Sequence, residues 1–458
     1  MENEKNNKKN NLTTGTVWKE LLIYFLPIVT GTVIQQLYNA VDGFVVGRFV
    51  STNALAAVGG SSAMIIMLLV NFFVSMTNGA AVIIGQLYGA GQKDAVQKAV
   101  GNAIAVMTVI GFLLTIIGLL ASPALLALLR TPEETIAESI LYLRIYFLGV
   151  PVIMALNMES SALRAVGDSM HPFIYMIAAC LLNIGLDLLF VIGFHWGVAG
   201  VAIATVLAQV LNFILLTVQM ATTKEIFRIR LRDLKLKGAH TGKMMKIGVP
   251  VGLQSSMYNV SNTIIQVAVN SLGTVVVASW AMSGKVDGFF WAFSNSMGVA
   301  ITNFIAQNYG AGKTDRVRTC TRQGFFMDLG GTILIGGLLL LLGVPLLRLL
   351  TPDEAVVSTT YRIMLYFVPF YALWAAVEVL SAVLRGIGDA VKPVVIIGCG
   401  ICLFRIIWLV TAFLRFRTLF VLCLSYPLSW GITAAALFIY YRHNPYIRTQ
   451  TGREPQKM

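Results

Sequence analysis

Twelve runs of roughly twenty or more predominantly apolar residues, each closed by glycine, proline or charge, constrain this chain more than any other feature it carries. They fall at about 21–46, 54–84, 95–120, 136–163, 170–194 and 198–221, and again at about 247–272, 275–307, 322–347, 358–384, 392–414 and 418–441. Segments of that length and character enter a bilayer. No water is available there to the backbone, so each run is expected to satisfy its own N–H and C=O groups as an α-helix. The composition agrees: 57% of the 458 residues are hydrophobic and only 12% are charged, against roughly 25% charged in soluble domains. The first run outlasts the ~7–15 residues of a signal-peptide core and has no small-residue cleavage site behind it, so it reads as a retained span.

A net charge of +13 would point a soluble chain toward nucleic acid, but here the charge is sorted by loop. Lys224, Arg228, Arg230, Arg232, Lys235, Lys237, Lys243 and Lys246 lie between spans six and seven, and Lys313, Arg316, Arg318 and Arg322 between eight and nine. Loops on the other side hold far fewer, such as Arg48, Arg130 and Arg348. The positive-inside bias therefore places both tails, 1–20 and 442–458, and the basic linker 222–246 in the cytoplasm of a plasma-membrane protein. The lipid bilayer accounts for the cations, and no nucleic-acid partner is called for.

The chain also repeats itself. At an offset of 221, Gln86, Tyr88, Gly89, Ala90, Gly91 and Asp94 match Gln307, Tyr309, Gly310, Ala311, Gly312 and Asp315, and Arg164, Gly167, Asp168 and Pro172 match Arg385, Gly388, Asp389 and Pro393. At 220, Tyr38-Asn39 matches Tyr258-Asn259 and Thr131-Pro132 matches Thr351-Pro352. The fold class expected is all-α and integral to the membrane, with twelve helices in two six-helix lobes, 21–221 and 247–441. Six is even, so the two halves run parallel across the membrane, an arrangement used by transporters. Gly310-Ala311-Gly312-Lys313-Thr314 ends like a phosphate-binding loop, but the earlier glycine it needs is Gln307 and a membrane helix precedes it, so it reads as a turn. The five cysteines (Cys180, Cys320, Cys399, Cys402, Cys423) read as small buried residues, with no cofactor or metal site; Cys399-x-x-Cys402 has no companion pair.

Polar groups inside the spans are costly, about 2.5–3.5 kcal/mol for a charge at mid-bilayer, and so mark candidate sites. Arg164 with Gly167-Asp168 and Arg385 with Gly388-Asp389 occur in both halves at cytoplasmic helix ends, which suits them to capping and orienting turns. Asp42 is different, because its counterpart is Asn262. Asn183 and Asp187 share a helix face at i, i+4, and their counterparts are Phe404 and Trp408. The acids thus belong to one half. Thr205, Tyr142 and Asn157 could supply neutral oxygens and donors around them. Two carboxyls in one dry pocket hold either a proton or a bound cation such as Na+; the alternative is two buried polar residues with unrelated partners. In the second half, Glu378 stands at the position of Asn157, and Arg405 inside span eleven is its expected ion-pair partner, unless Glu378 faces the central cavity and meets cationic substrates. Glu159 has no evident partner and is expected near the cytoplasmic surface.

Tyr-Asn-x-x-Asp-x-x-x-Val-Gly-Arg from Tyr38 to Arg48, followed by Asn53-Ala-Leu-Ala-Ala-Val-Gly59, resembles the first-helix signature of the MATE (multidrug and toxic compound extrusion) family. Gln86-x-Tyr-Gly-Ala-Gly91 and Arg164-x-x-Gly-Asp168 resemble its cytoplasmic loops, and the likeness extends over both halves. It implies two six-helix lobes in a V around a central cavity, exporting organic cations and drugs in exchange for H+ or Na+. The pattern is similar to the DinF-type branch, whose cation site would here be Asp42, Asn183, Asp187 and Thr205, with Tyr38, Tyr142 and Asn157 nearby. The NorM-type pattern expects a glutamate in span seven, which has no acid; Glu378 is a partial echo of it.

The function expected is therefore cation-coupled efflux of amphipathic, often cationic small molecules by alternating access, with the protein acting as a monomer. A flippase or exporter of a lipid-linked or other amphipathic metabolite is the alternative, though it calls for a strongly cationic cavity. An intramembrane enzyme is disfavoured, since His171, His195, His240 and His443 are scattered. Pro27 in span one is a bending point. If the bend changes during transport, Pro27→Ala slows export in a vesicle uptake assay; an unchanged rate identifies a static kink.

Overall fold

The computed structural model describes residues 12–449, and among these the chain is helical almost throughout. The long helices are α1 (Val17–Phe49), α2 (Thr52–Gly89), α3 (Lys93–Leu128), α4 (Glu133–Ala165), α5 (Met170–Gly193), α6 (Gly197–Thr222), α7 (Thr241–Asn270), α8 (Thr274–Gly310), α9 (Thr314–Leu350), α10 (Glu354–Gly386), α11 (Val391–Phe416) and α12 (Leu419–His443). Ten of them are long and apolar enough to cross a membrane; α7 and α8 are equally long but more polar. The observed helices overrun the apolar runs by several residues at most ends, because polar first and last turns remain helical outside the hydrocarbon. Three local signals set the starts: Ser51 accepts from Ala54 N at 2.9 Å, Asp353 from Ala355 N at 2.9 Å, and Thr418 from Val421 N at 3.3 Å, each covering an amide that the helix leaves unpaired.

The repeat in sequence is a repeat in backbone. Gly91 and Gly312 close the α2–α3 and α8–α9 turns with φ of 71° and 69°, and Gly167 and Gly388 turn the chain after α4 and α10 with φ of 95° and 91°. These are left-handed conformations that a side chain would strain. The stretch ending like a phosphate-binding loop is one of these turns, and Lys313 Nζ is bound to the Thr13 carbonyl at 2.8 Å. A π-helical segment follows Asp187 at Leu188–Gly193 and recurs one repeat later at Leu409–Phe413.

Two compact units emerge. The first takes in Leu26–Gly252; the second takes in Leu12–Phe25 and the chain from Leu253 on. The division falls inside α1 and α7, and the basic linker goes with the first unit. In that unit α4 is central, with 61% of its most apolar stretch buried, against 22% for α2; in the second, α10 holds the same place at 72%, against 22% for α9. Close approach at glycine lets the helices meet, as expected where apolar surface gains nothing by leaving lipid. A Cβ at Gly111 of α3 would lie 2.6 Å from Pro151 Cα of α4, and one at Gly252 of α7 would lie 2.7 Å from the Phe72 carbonyl of α2.

Straps outside the helices belong to each unit. In the first, Asn102 of α3 donates to the Lys235 carbonyl at 2.6 Å and accepts from Thr241 at 2.7 Å. In the second, Arg316 of α9 donates to the carbonyls of Leu12, Thr14 and Gly15 at 3.0, 2.7 and 2.6 Å. Because the obstacle at Gly111 is backbone, Gly111→Ala is expected to destabilise the protein by about 1–3 kcal/mol. Gly330→Ala on α9, which meets nothing within 4 Å, does not lower the melting temperature in detergent.

Candidate functional site

A cavity of about 610 Å³ lies within the first unit, enclosed by α1, α2, α4, α5 and α6. It runs along α1 from Pro27 to Asp42, fifteen residues apart and therefore about 22 Å of helix. Each of the helices around it contributes polar groups. Tyr38 and Asp42 come from α1, Tyr142 and Asn157 from α4, and Thr205 from α6; all five line the cavity. Asn183 and Asp187 do not: one turn apart on α5 and both 0% exposed, they stand behind the wall at the Asp42 end.

At that end Asp42 and Asp187 are close enough to feel one another's charge, and the Tyr38 hydroxyl is within reach of both the Asp42 carboxyl and the Thr205 hydroxyl. Yet neither oxygen of Asp187, neither polar atom of Asn183 and not Oδ1 of Asp42 has a partner at hydrogen-bond geometry. Unmade bonds of this kind are expensive when buried, so a cluster of orphaned oxygens is a place for a proton or a small cation. Beyond it an apolar cluster including Val45, Val46, Tyr142, Val191 and Val201 packs α1, α4, α5 and α6 together. An ion at Asp42 thus meets apolar packing on one side and a polar-lined cavity on the other.

Sequence reasoning missed several of the cavity's polar residues. Gln35 and Asn39 of α1, Asn71 of α2, and Gln209 and Asn212 of α6 all line it. The signal that singled out Asp42 was available for some of them: one repeat on from Asn71 and Gln209 stand Ala292 and Trp430. Arg164 also lines the cavity, far from Asp42, while donating to Ser161 Oγ at 3.2 Å. Asn157 donates to the Ile153 carbonyl at 2.7 Å, which fixes its amide on α4.

Other expectations need correction. Glu378 and Arg405 do not pair. Glu378 on α10 binds Arg385 at 2.9 Å, seven residues on along the same helix face, and Arg405 on α11 instead stacks 3.7 Å from the Tyr426 ring centre and donates to Ser429 at 3.1 Å. The aromatic face and hydroxyl satisfy Arg405 without an acid. Glu159 does have a partner: it is 1% exposed and accepts from Thr217 at 2.8 Å. Asp168 caps α5 as expected, accepting from the amides of Met170 and His171, whereas Asp389 is tied to Tyr440 and Asn444 of the last turns. Cys399 is exposed on a face of α11 that the protein does not cover, while Cys320, Cys402 and Cys423 are buried. No group of three or more His, Cys, Asp or Glu is placed to hold a metal ion among the described residues.

The sequence pattern of the MatE family matches residues 27–189 and 250–411, once in each half. The probable multidrug resistance protein YoeA of Bacillus subtilis (strain 168) is 27% identical, covering 83% of this chain and 84% of its own. The probable multidrug resistance protein YpnP of the same organism is 26% identical over 95% and 97%. A solved MOP superfamily transporter from Pyrococcus furiosus superposes with a TM-score of 0.88 at 20% identity, covering 97% of this chain and 99% of that one.

Cys180 borders the cavity, so N-ethylmaleimide is expected to modify it well before the buried Cys320 and Cys423, by mass spectrometry of the native protein. Equal rates would mean that small solutes do not enter.

Proposed function

The chain belongs to the MatE family, and on that premise we propose that it is a plasma-membrane antiporter exporting amphipathic, often cationic compounds in exchange for H+ or Na+. Membership makes it a multi-pass membrane transporter and not an enzyme. The observation that carries the coupling is the arrangement of Asp42 at the end of the cavity, with Asp187 and Asn183 sealed behind it and, among the described residues, no basic side chain bound to any of the three.

The chemistry follows from charge. With both carboxyls ionised, the pocket attracts a cation from the cavity; a proton, or Na+ held by the carboxyls with Asn183 and Thr205, cancels that attraction. A cationic substrate in the cavity and the coupling ion at its end thus favour opposite occupancies. Exchange becomes transport when the ion binds the two access states differently, since equal affinity shifts nothing. Entry of one positive charge also gains about 2.3 kcal/mol per 100 mV of membrane potential. The mixed lining supports amphipathic substrates: Met67, Phe173 and Met176 share the cavity with the amides, and thioether and aromatic groups adapt to varied apolar shapes.

Positive-inside charge supports cytoplasmic tails and linker for a monomer of two lobes, and the one-sided acids support a DinF-type branch. A flippase for a lipid-linked precursor is less well supported, because the cavity sets Asp42 against a single arginine, Arg164. In proteoliposomes with an imposed pH or Na+ gradient, Asp42→Asn and Asp187→Asn are each expected to lower gradient-driven export at least about tenfold, the effect of ~1.4 kcal/mol of lost coupling. Both variants should keep the wild-type melting temperature. Undiminished export by both would overturn the site, and the gradient that drives the wild type identifies the ion.

A further inference from the structure

The second unit contains a buried acid that the mechanism above does not use. Asp328 on α9 is 0% exposed, and neither of its carboxyl oxygens has a hydrogen-bond partner; one turn on, Thr332 is 2% exposed and its hydroxyl is also unpartnered. Both lie on the buried stripe of α9 that includes Gly324, Gly336 and Leu339. An ionised carboxylate in that setting is strongly disfavoured unless a charge or donor meets it.

Glycine contacts locate what faces it. Gly324 and Gly331 of α9 abut Ile301 and Phe293 of α8, an antiparallel register that sets Asp328 opposite Ser296 and Met297. Gly336 and Gly343 abut Val368 and Tyr361 of α10, which sets Asp328 near residue 376 of that helix. Glu378 is the acid at that level, and its side chain lies against Gly298. Two helices thus bring two carboxyls to one spot on a third, and the charge that Asp328 feels is that of Glu378. By the same registers, at 1.5 Å per residue, Lys285 and Asp287 of α8 lie about 15 Å off, and Arg362 of α10 about 20 Å, with Glu354 farther. Asp287 is already held by Tyr371 and Ser283. On the part of α1 that belongs to this unit, Leu21 meets Gly324, Glu20 faces Arg316 near the start of α9, and Lys19 is exposed. Arg322, six residues before Asp328, lies off the buried stripe of α9.

Arg385 is engaged by Glu378 at 2.9 Å, and no basic side chain is bound to Asp328 among the described residues. We propose that Asp328, beside the Glu378–Arg385 pair, is a second proton-binding site of this protein, holding one exchangeable proton in the half that lacks Asp42, Asn183 and Asp187. With the proton on Asp328 the three groups sum to zero; its release to water leaves one net negative charge between α8, α9 and α10. The site differs in helix and residue from the cavity acids, and it stands or falls without them.

The test is labelling of the full-length protein in proteoliposomes with N,N′-dicyclohexylcarbodiimide, an apolar reagent that adds to protonated carboxyls, followed by peptide mass spectrometry. The expected result is an adduct on Asp328 whose rate falls at least roughly tenfold between about pH 6 and about pH 9, as the carboxyl gives up its proton. The same fall is expected in Asp42→Asn, which separates this site from the one in the cavity. No adduct at either pH would show that no proton path reaches Asp328, and an adduct equal at both would show a permanently neutral, structural acid; either overturns the proposal. The wild-type protein supplies the reading, so a misfolded Asp328→Asn variant cannot obscure it.

Discussion

A polar group in hydrocarbon has to be answered from within the protein, and that requirement organises everything else here. The backbone answers it by being helical over nearly all the described residues. Side chains answer it one by one. Asp168 takes two amides at the start of α5, Asp287 takes the hydroxyls of Tyr371 and Ser283, Arg405 takes a ring face and a serine, and Glu378 takes Arg385. Against that background two acids with neither carboxyl oxygen answered stand out among the described residues: Asp187, with Asn183 and Asp42 Oδ1 also unanswered, in one unit, and Asp328 in the other. Polar residues that are matched describe how the helices are held.

The two halves share a backbone and differ in filling. Counterparts of three of the first unit's polar residues are aromatic in the second: Asp187 becomes Trp408, Thr205 becomes Tyr426 and Gln209 becomes Trp430. Tyr426 and Trp430 lie 5.8 Å apart in a cluster with Trp280 and Phe367, and Trp430 is 1% exposed. Aromatic bulk thus occupies the second half at two positions, those of Thr205 and Gln209, where the first half keeps polar lining. The π-helical segment after Asp187 recurs beside Trp408, so that irregularity belongs to the shared scaffold and not to the acids of the first unit.

Much of this was legible from residues alone. Apolar runs locate helices because a bilayer accepts little else, and duplication separates shared architecture from one-sided chemistry, which is how Asp42, Asn183 and Asp187 stand out. The limits were physical too. Pairing of Glu378 depends on whether its side chain turns along α10 or across to α11, and hydropathy carries no such direction. The exposure of Cys399 depends on which face of α11 the neighbours cover. Asp328 lies in a run that reads as a plain span with one acid; only the glycine contacts on two neighbouring helices show that it meets Glu378. The cavity amides went unremarked because asparagine and glutamine lower hydropathy too little to interrupt a run.

The division of the chain inside α1 and α7 bears on where the chain can be cut. Leu12–Phe25 is grouped with the second repeat, and the stretch through Thr241–Gly252 with the first. Each repeat therefore lends the opening turns of its first helix to the other. Cleavage in the basic linker 222–246 would therefore leave neither piece with all the residues of its own unit.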